Sequence, residues 1–227
     1  MVPIRHVIVP ALATVTLVVG LLWVAPGWRP VVDMPDKAAI RKGSTSKPTR
    51  RLRCDPDELV ADAPPGSAER RIESELYRAI VEASPHARDP LQLVVEAVSI
   101  PMPGVPMPEW FKDWSPAAFA LIEHGFFQCS RLSADRFPQP AHLVPVGEIA
   151  DHVSLTADAW ASLASRYNGA RQWFAFSRAR VNETTGDAIV YYDRECHSCG
   201  VGEWVWFHRE AVGAPWRIAG KRWSWIN

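Results

Sequence analysis

The sequence predicts an α+β fold: a single N-terminal transmembrane helix, then a few short helices packed on a C-terminal four-stranded antiparallel meander. Three observations predict it. No charged side chain occurs between Val7 and Trp28. Apolar residues recur at helical spacing in three segments between positions 67 and 169, and from Arg171 onward the apolar period changes to two.

The uncharged run, VIVPALATVTLVVGLLWVAPGW, holds 22 residues. At about 1.5 Å each they reach roughly 33 Å, enough to cross a hydrocarbon core. Residues 1–28 therefore read as a retained membrane anchor. A cleaved signal peptide is the alternative, because Arg5 precedes the apolar core, but Trp23-Val24-Ala25 puts an indole where cleavage needs a small side chain. Residues 29–66 follow as a basic tether. Between Arg29 and Arg53, Arg29, Lys37, Arg41, Lys42, Lys47, Arg50, Arg51 and Arg53 stand against Asp33 and Asp36, and the lack of apolar periodicity together with GSTSKP predicts disorder. The plain reading of the stretch from Arg29 to Arg53 is a solvated linker; the sharper one is a patch held against anionic headgroups. Over the whole chain 25 Lys and Arg balance 25 Asp and Glu, which removes any charge argument for a nucleic-acid partner.

A globular domain is expected over 67–227. Ser67 caps a helix carrying Ile72, Leu76, Ile80 and Ala83 on one face, stopped by Pro85. LQLVVEAVSI, residues 91–100, reads as a buried strand from its Val and Ile content, with a helix as the alternative. Pro101, Pro103, Pro106 and Pro108 each remove a backbone donor and predict an extended loop. Ser115-Pro116 opens a short helix with Phe119 and Ile122 on one face and Gly125 at its end. A third helix from about Thr156 aligns Trp160, Leu163, Ala164 and Tyr167 before Asn168-Gly169 ends it.

QWFAFSRARV, DAIVYYD, GEWVWFHRE and PWRIAGKRWSWI then read as four strands, joined by ETTG, by a cysteine-containing turn and by AVGAP. Such short connections make neighbours antiparallel. Trp173, Trp204, Trp206, Trp216, Trp223 and Trp225 all fall in this region. A stacked aromatic ligand face is one reading. Core packing is favoured, because Trp204 with Trp206 and Trp223 with Trp225 recur at alternate positions and no convergent polar set accompanies them.

Chemistry is suggested by one motif, Cys196-His197-Ser198-Cys199-Gly200, in the turn between the second and third of these strands. Three readings stay open. A dithiol redox site using Cys196 and Cys199 needs a following helix N-terminus to lower a thiol pKa, whereas a strand pattern follows here. A zinc site needs two further ligands, to be gathered by the fold from Cys54, Cys129, His124 or His208. A structural disulfide, local or longer-range, needs only the turn that Gly200 and Gly202 permit. Glu123-His124 and Asp151-His152 pair carboxylates with imidazoles, but adjacent helical positions point about 100° apart. Asn182-Glu183-Thr184 matches a glycosylation sequon and reads more simply as a polar hairpin turn. No G-x-S-x-G, H-E-x-x-H, P-loop or dinucleotide fingerprint occurs, and no catalytic, metal or cofactor-binding residue is assigned.

The C-terminal pattern of an AIVYYD strand, Cys196-x-x-Cys199-Gly200-x-Gly202, an aromatic strand, Trp216-Arg217-Ile218 and a terminal Trp225-Ile226-Asn227 resembles a group of small uncharacterised bacterial exported or membrane-anchored proteins. Those end in a C-G-x-G turn, a W-K/R-V strand and W-I-S. The resemblance covers the final strands, departs from the group in cysteine spacing and in the terminal Asn227, and implies an exported domain without implying an activity. The expected function is a non-enzymatic, single-pass envelope module that binds a protein or small ligand; the alternative is a thiol-redox or zinc protein using Cys196 and Cys199. Topology rests on opposed signals. The basic residues after Trp28 favour a cytoplasmic domain, while the cysteines, the basic start before an apolar core and the exported look of the C-terminus favour the outside, which is the side expected here.

Overall fold

A computed structural model describes residues 54, 59–84, 93–104, 108–138, 141–145, 157–170, 172–196 and 199–226, all within the unit Arg50–Asn227. The run 7–28, the stretch 29–53, and Pro85, Pro106, Asp151, His152, Thr156, His197 and Ser198 lie outside the described residues. Among the described residues no helix is long and apolar enough to cross a membrane.

Helix α1, Ala68–Glu82, begins where Ser67 accepts the Arg70 N–H and buries Leu76, Tyr77, Ile80 and Val81. Burying four such side chains is worth roughly 1.5 to 3 kcal/mol each, so packing and not propensity holds the helix. Strand β1, Leu93–Glu96, follows as its Val content predicts. The proline-rich stretch is pinned at Met102, which exchanges backbone hydrogen bonds with Phe126 at 2.7 and 2.8 Å. It then forms a 3-10 turn, Pro108–Phe111, where an extended loop was expected. That turn drives Phe111 and Trp114 into the core. Helix α2, Pro116–Ala120, is capped by Ser115. Gly125 then adopts φ +70°, with the site of a Cβ only 2.8 Å from the Gly104 nitrogen, a close approach that excludes any side chain. Strand β2 is His142–Val144, and helix α3, Ala157–Arg166, ends at left-handed Asn168 and Gly169.

The expected four-stranded meander is corrected here. Among the described residues seven strands form one mixed sheet in the order β2-β1-β3-β5-β6-β7, with β4 beside β5. The other strands are β3, Gln172–Phe176, β4, Arg180–Asn182, β5, Asp187–Cys196, β6, Cys199–His208, and β7, Arg217–Ile226. Strands β1 and β2 add two parallel pairings, β1 with β2 and β1 with β3, which short-range turn signals do not encode. The segment expected to run as one strand from Gln172 to Val181 is broken at Ser177. There the Ser177 hydroxyl accepts the Tyr191 N–H at 2.9 Å, and Arg178 turns away into the interior. Strands β3 and β4 thus occupy the same side of β5 at different heights.

The sheet is covered on both faces. One face, with Val94, Trp173, Ile189, Tyr191 and Trp204, meets Met102, Phe111, Trp114, α2 and α3. The other, with Val95, Phe174, Phe176, Val190 and Phe207, meets α1, Leu132, Phe137 and Trp216. The tryptophans expected in the core divide accordingly: Trp173, Trp204 and Trp216 are buried, Trp206 and Trp223 are half-buried, and the Trp225 side chain lies outside the described residues.

Candidate functional site

Cys196 and Cys199 end β5 and begin β6 as directly opposed partners. They are joined as a disulfide with a Cα–Cα distance of 5.0 Å, inside the usual range. In this form neither sulfur is a thiolate, the species that acts as nucleophile or zinc ligand. The pair joins β5 to β6, and a strand, not a helix, follows it in the chain. Two carboxylates precede it on β5: Asp193 and Glu195 are buried opposite Gly202 and Gly200, positions that add no side chain over them. Tyr191 donates to Asp193 at 2.8 Å.

The remaining cysteines form a second disulfide, Cys54–Cys129, across a separation of 75 residues. Cys54 comes from the stretch read as a tether. Residues nearby are built into the fold as well, since the Val60 N–H donates to the Cys129 carbonyl at 2.9 Å.

Sequence reasoning missed the most conspicuous polar feature, a buried ionic network beneath α1. Glu73 is 1% exposed and Arg136 0%. Glu73 accepts from Arg136, from Arg178 Nε at 2.7 Å and from the Ala179 N–H at 2.9 Å. Arg178 also reaches Ser130 at 3.0 Å and Glu69. Asp62 takes the far side of Arg136 and accepts from Ser133 at 2.9 Å. Burial pushes the Asp62 carboxyl up, but the Arg136 and Ser133 hydrogen bonds and the Arg136 and Arg70 charges outweigh it, and its pKa lies below the ordinary value. Tyr77 beside Glu73 is pushed well up, first by burial and then by the Glu73 charge. One signal in the sequence points to the network. Glu73 falls on the same α1 face as Leu76, Tyr77 and Ile80, a carboxylate on an apolar stripe. Every hydrogen-bonding group named here has a partner, which fits a structural role.

A second cluster gathers on Asp187, 2% exposed. Its Oδ1 accepts from Trp206 Nε1 at 2.8 Å and lies 3.1 Å from His208 Nδ1, while Ser115 donates to Oδ2 at 3.4 Å. Burial raises the Asp187 pKa, but hydrogen bonds from Thr185, Trp206 and His208 prevail and hold it below the ordinary value. A carboxylate that orients an imidazole is the arrangement of a general base. Ser115, however, spends its hydroxyl on Asp187 and on capping the Ala118 N–H at 3.0 Å, so it is not paired with the imidazole as a nucleophile.

No family model, curated protein or solved structure matches this chain.

Of the other sequence candidates, Glu123 and His124 approach to 3.9 Å at the surface. Both are exposed, and Asn182 forms the expected polar turn by accepting from the Thr184 and Thr185 N–H groups at 3.1 and 3.3 Å. Among the described residues no three His, Cys, Asp or Glu side chains are grouped to hold a metal ion. The outer face of α1 lines a shallow groove of ≈ 660 Å³ with Arg71, Ser74, Glu75, Arg78, Ala79 and Glu82, flanked by Asp135 and Trp216.

Proposed function

We propose that this chain is an envelope-resident interaction module, held at a membrane by residues 7–28 with its domain on the extracytoplasmic side, that binds a protein or small ligand through its polar surface. The observation that carries the reading is the pairing of all four cysteines, Cys54 with Cys129 and Cys196 with Cys199. Disulfides persist in oxidising compartments and are rare in the cytosol. The uncharged run supplies a means of attachment, and the basic residues 29–53 stand where anionic headgroups would meet them. The covered sheet faces and the fully partnered Glu73 network support a rigid presenting scaffold over a reaction centre.

Alkaline phosphatase, which is active only where disulfides form, tests the topology when fused after Asn227. An active fusion that stays with membranes through a carbonate wash is expected. A stable but inactive fusion would put the domain in the cytoplasm and end the reading. Trapping thiols with an alkylating agent in whole cells tests the cysteines separately. No labelling before reduction is expected, and labelling of Cys196 and Cys199 alone would instead favour the dithiol function.

A further inference from the structure

The geometry points to an interaction surface on the outer face of α1 that pairs with the same face of a second copy of this chain, the two helices antiparallel. The inference stands apart from the membrane reading and rests on charge order. Arg71, Glu75, Arg78 and Glu82 fall within about 60° of arc on one helix, and all four are exposed. Their signs alternate along the axis: plus, minus, plus, minus. The positions are also symmetric. Residues 71 and 82, 75 and 78, and 74 and 79 are each disposed equally about one point between Leu76 and Tyr77.

A twofold axis through that point reverses the helix. It sets Arg71 against the partner's Glu82 and Glu75 against the partner's Arg78, each contact occurring twice. An isologous dimer requires this kind of self-complementarity. Ser74 and Ala79, the other symmetric pair, are small and flank the charged stripe on its two sides. These six side chains, with Arg70, are the ones that α1 contributes to the groove between Asp135 and Trp216.

The charges of this face are lightly engaged within one copy. Among the described residues Arg71 and Glu82 take part in no ion pair. Glu75 uses one oxygen to accept the Trp216 N–H at 3.0 Å, and Arg78 reaches only the Asp135 carbonyl, at 3.5 Å. Arg70 is excluded from the surface set, because it is committed to Asp135 at 2.5 Å and to Ser133 at 2.6 Å. Exposed ion pairs are individually weak and screened by salt. The dimer is therefore expected to be low in affinity and salt-sensitive, and local concentration by any attachment strengthens it.

Sedimentation of the full-length protein in detergent, at low and at about 0.5 M salt, reads the association. A concentration-dependent dimer that weakens with salt is expected. Arg71→Glu should weaken it about tenfold, since each of two symmetric contacts turns repulsive, and Arg71→Glu with Glu82→Arg should restore it. Within one chain these residues lie about 16 Å apart along the helix, so the restoration acts only between copies. Thermal unfolding of each variant checks that the fold is intact. A monomer throughout the concentration range at low salt overturns the inference. So does a dimer that ignores both substitutions, or a double variant as weak as the single one.

Discussion

Glu73 ties two buried arginines to α1. Its carboxylate is the shared acceptor of Arg136 and Arg178, both buried, so removing it leaves Arg136 with Asp62 alone and Arg178 with Glu69 and Ser130, each short of its buried counter-charge. The net worth of such a triad is small, because desolvation opposes the Coulomb gain, but breaking one costs about 3 to 5 kcal/mol. Glu73→Ala should therefore destabilise by about that amount in urea unfolding, and a loss under about 1 kcal/mol would mean that water reaches the arginines. Acid should act on this network and on the separate Asp187 cluster. Asp62, Asp135 and Asp187 have folded pKa values below the ordinary one. The hydrogen bonds from Ser133 and Arg70 are the leading cause at Asp135. A depressed folded pKa gives stability that is present above the unfolded value of about 3.9 and lost as pH falls through the folded one. The urea midpoint should thus hold between about pH 7 and 5 and fall below about pH 4, and Asp62→Asn should flatten the fall.

At the scale of elements, the two disulfides do different work. Cys54–Cys129 spans 75 residues and Cys196–Cys199 only 3. Loop-closure entropy grows with the logarithm of the span, giving about 4 kcal/mol for the first and about 2 for the second. Replacing Cys54 and Cys129 with Ser should lower the urea midpoint more than replacing Cys196 and Cys199, whose strands are already paired by backbone hydrogen bonds. Equal losses would show that the hairpin tip is held by its disulfide alone. The sheet offers a parallel test. Trp204 is buried against Phe111 and Tyr191, whereas Trp206 is half-buried. Trp204→Ala should cost about 3 to 5 kcal/mol and Trp206→Ala less; the reverse order would mean that Trp206, and not Trp204, anchors this part of the core.

At the scale of the whole molecule, some features were written locally and others were not. Ser67 before an apolar stripe, Ser115-Pro116, Asn168-Gly169 and the alternation of β5 and β6 each express a rule that acts over a few residues, and each was legible in the chain. The caps, the helix faces and the antiparallel pairing of β5 with β6 follow from those rules, because their partners are near in sequence. The mixed sheet did not follow. Strands β1 and β2 are only 4 and 3 residues long, and their parallel partners lie dozens of positions away, so no local period encodes the pairing. The network on Glu73 joins residues 62, 73, 136 and 178, and the Asp187 cluster joins 115, 187, 206 and 208; a sequence shows such residues only as scattered charges. The cysteine pairing was open for the same reason, since four cysteines allow three connectivities. Periodicity and capping, being local, determined the elements; burial, which depends on what the chain brings together across long separations, alone decided their arrangement.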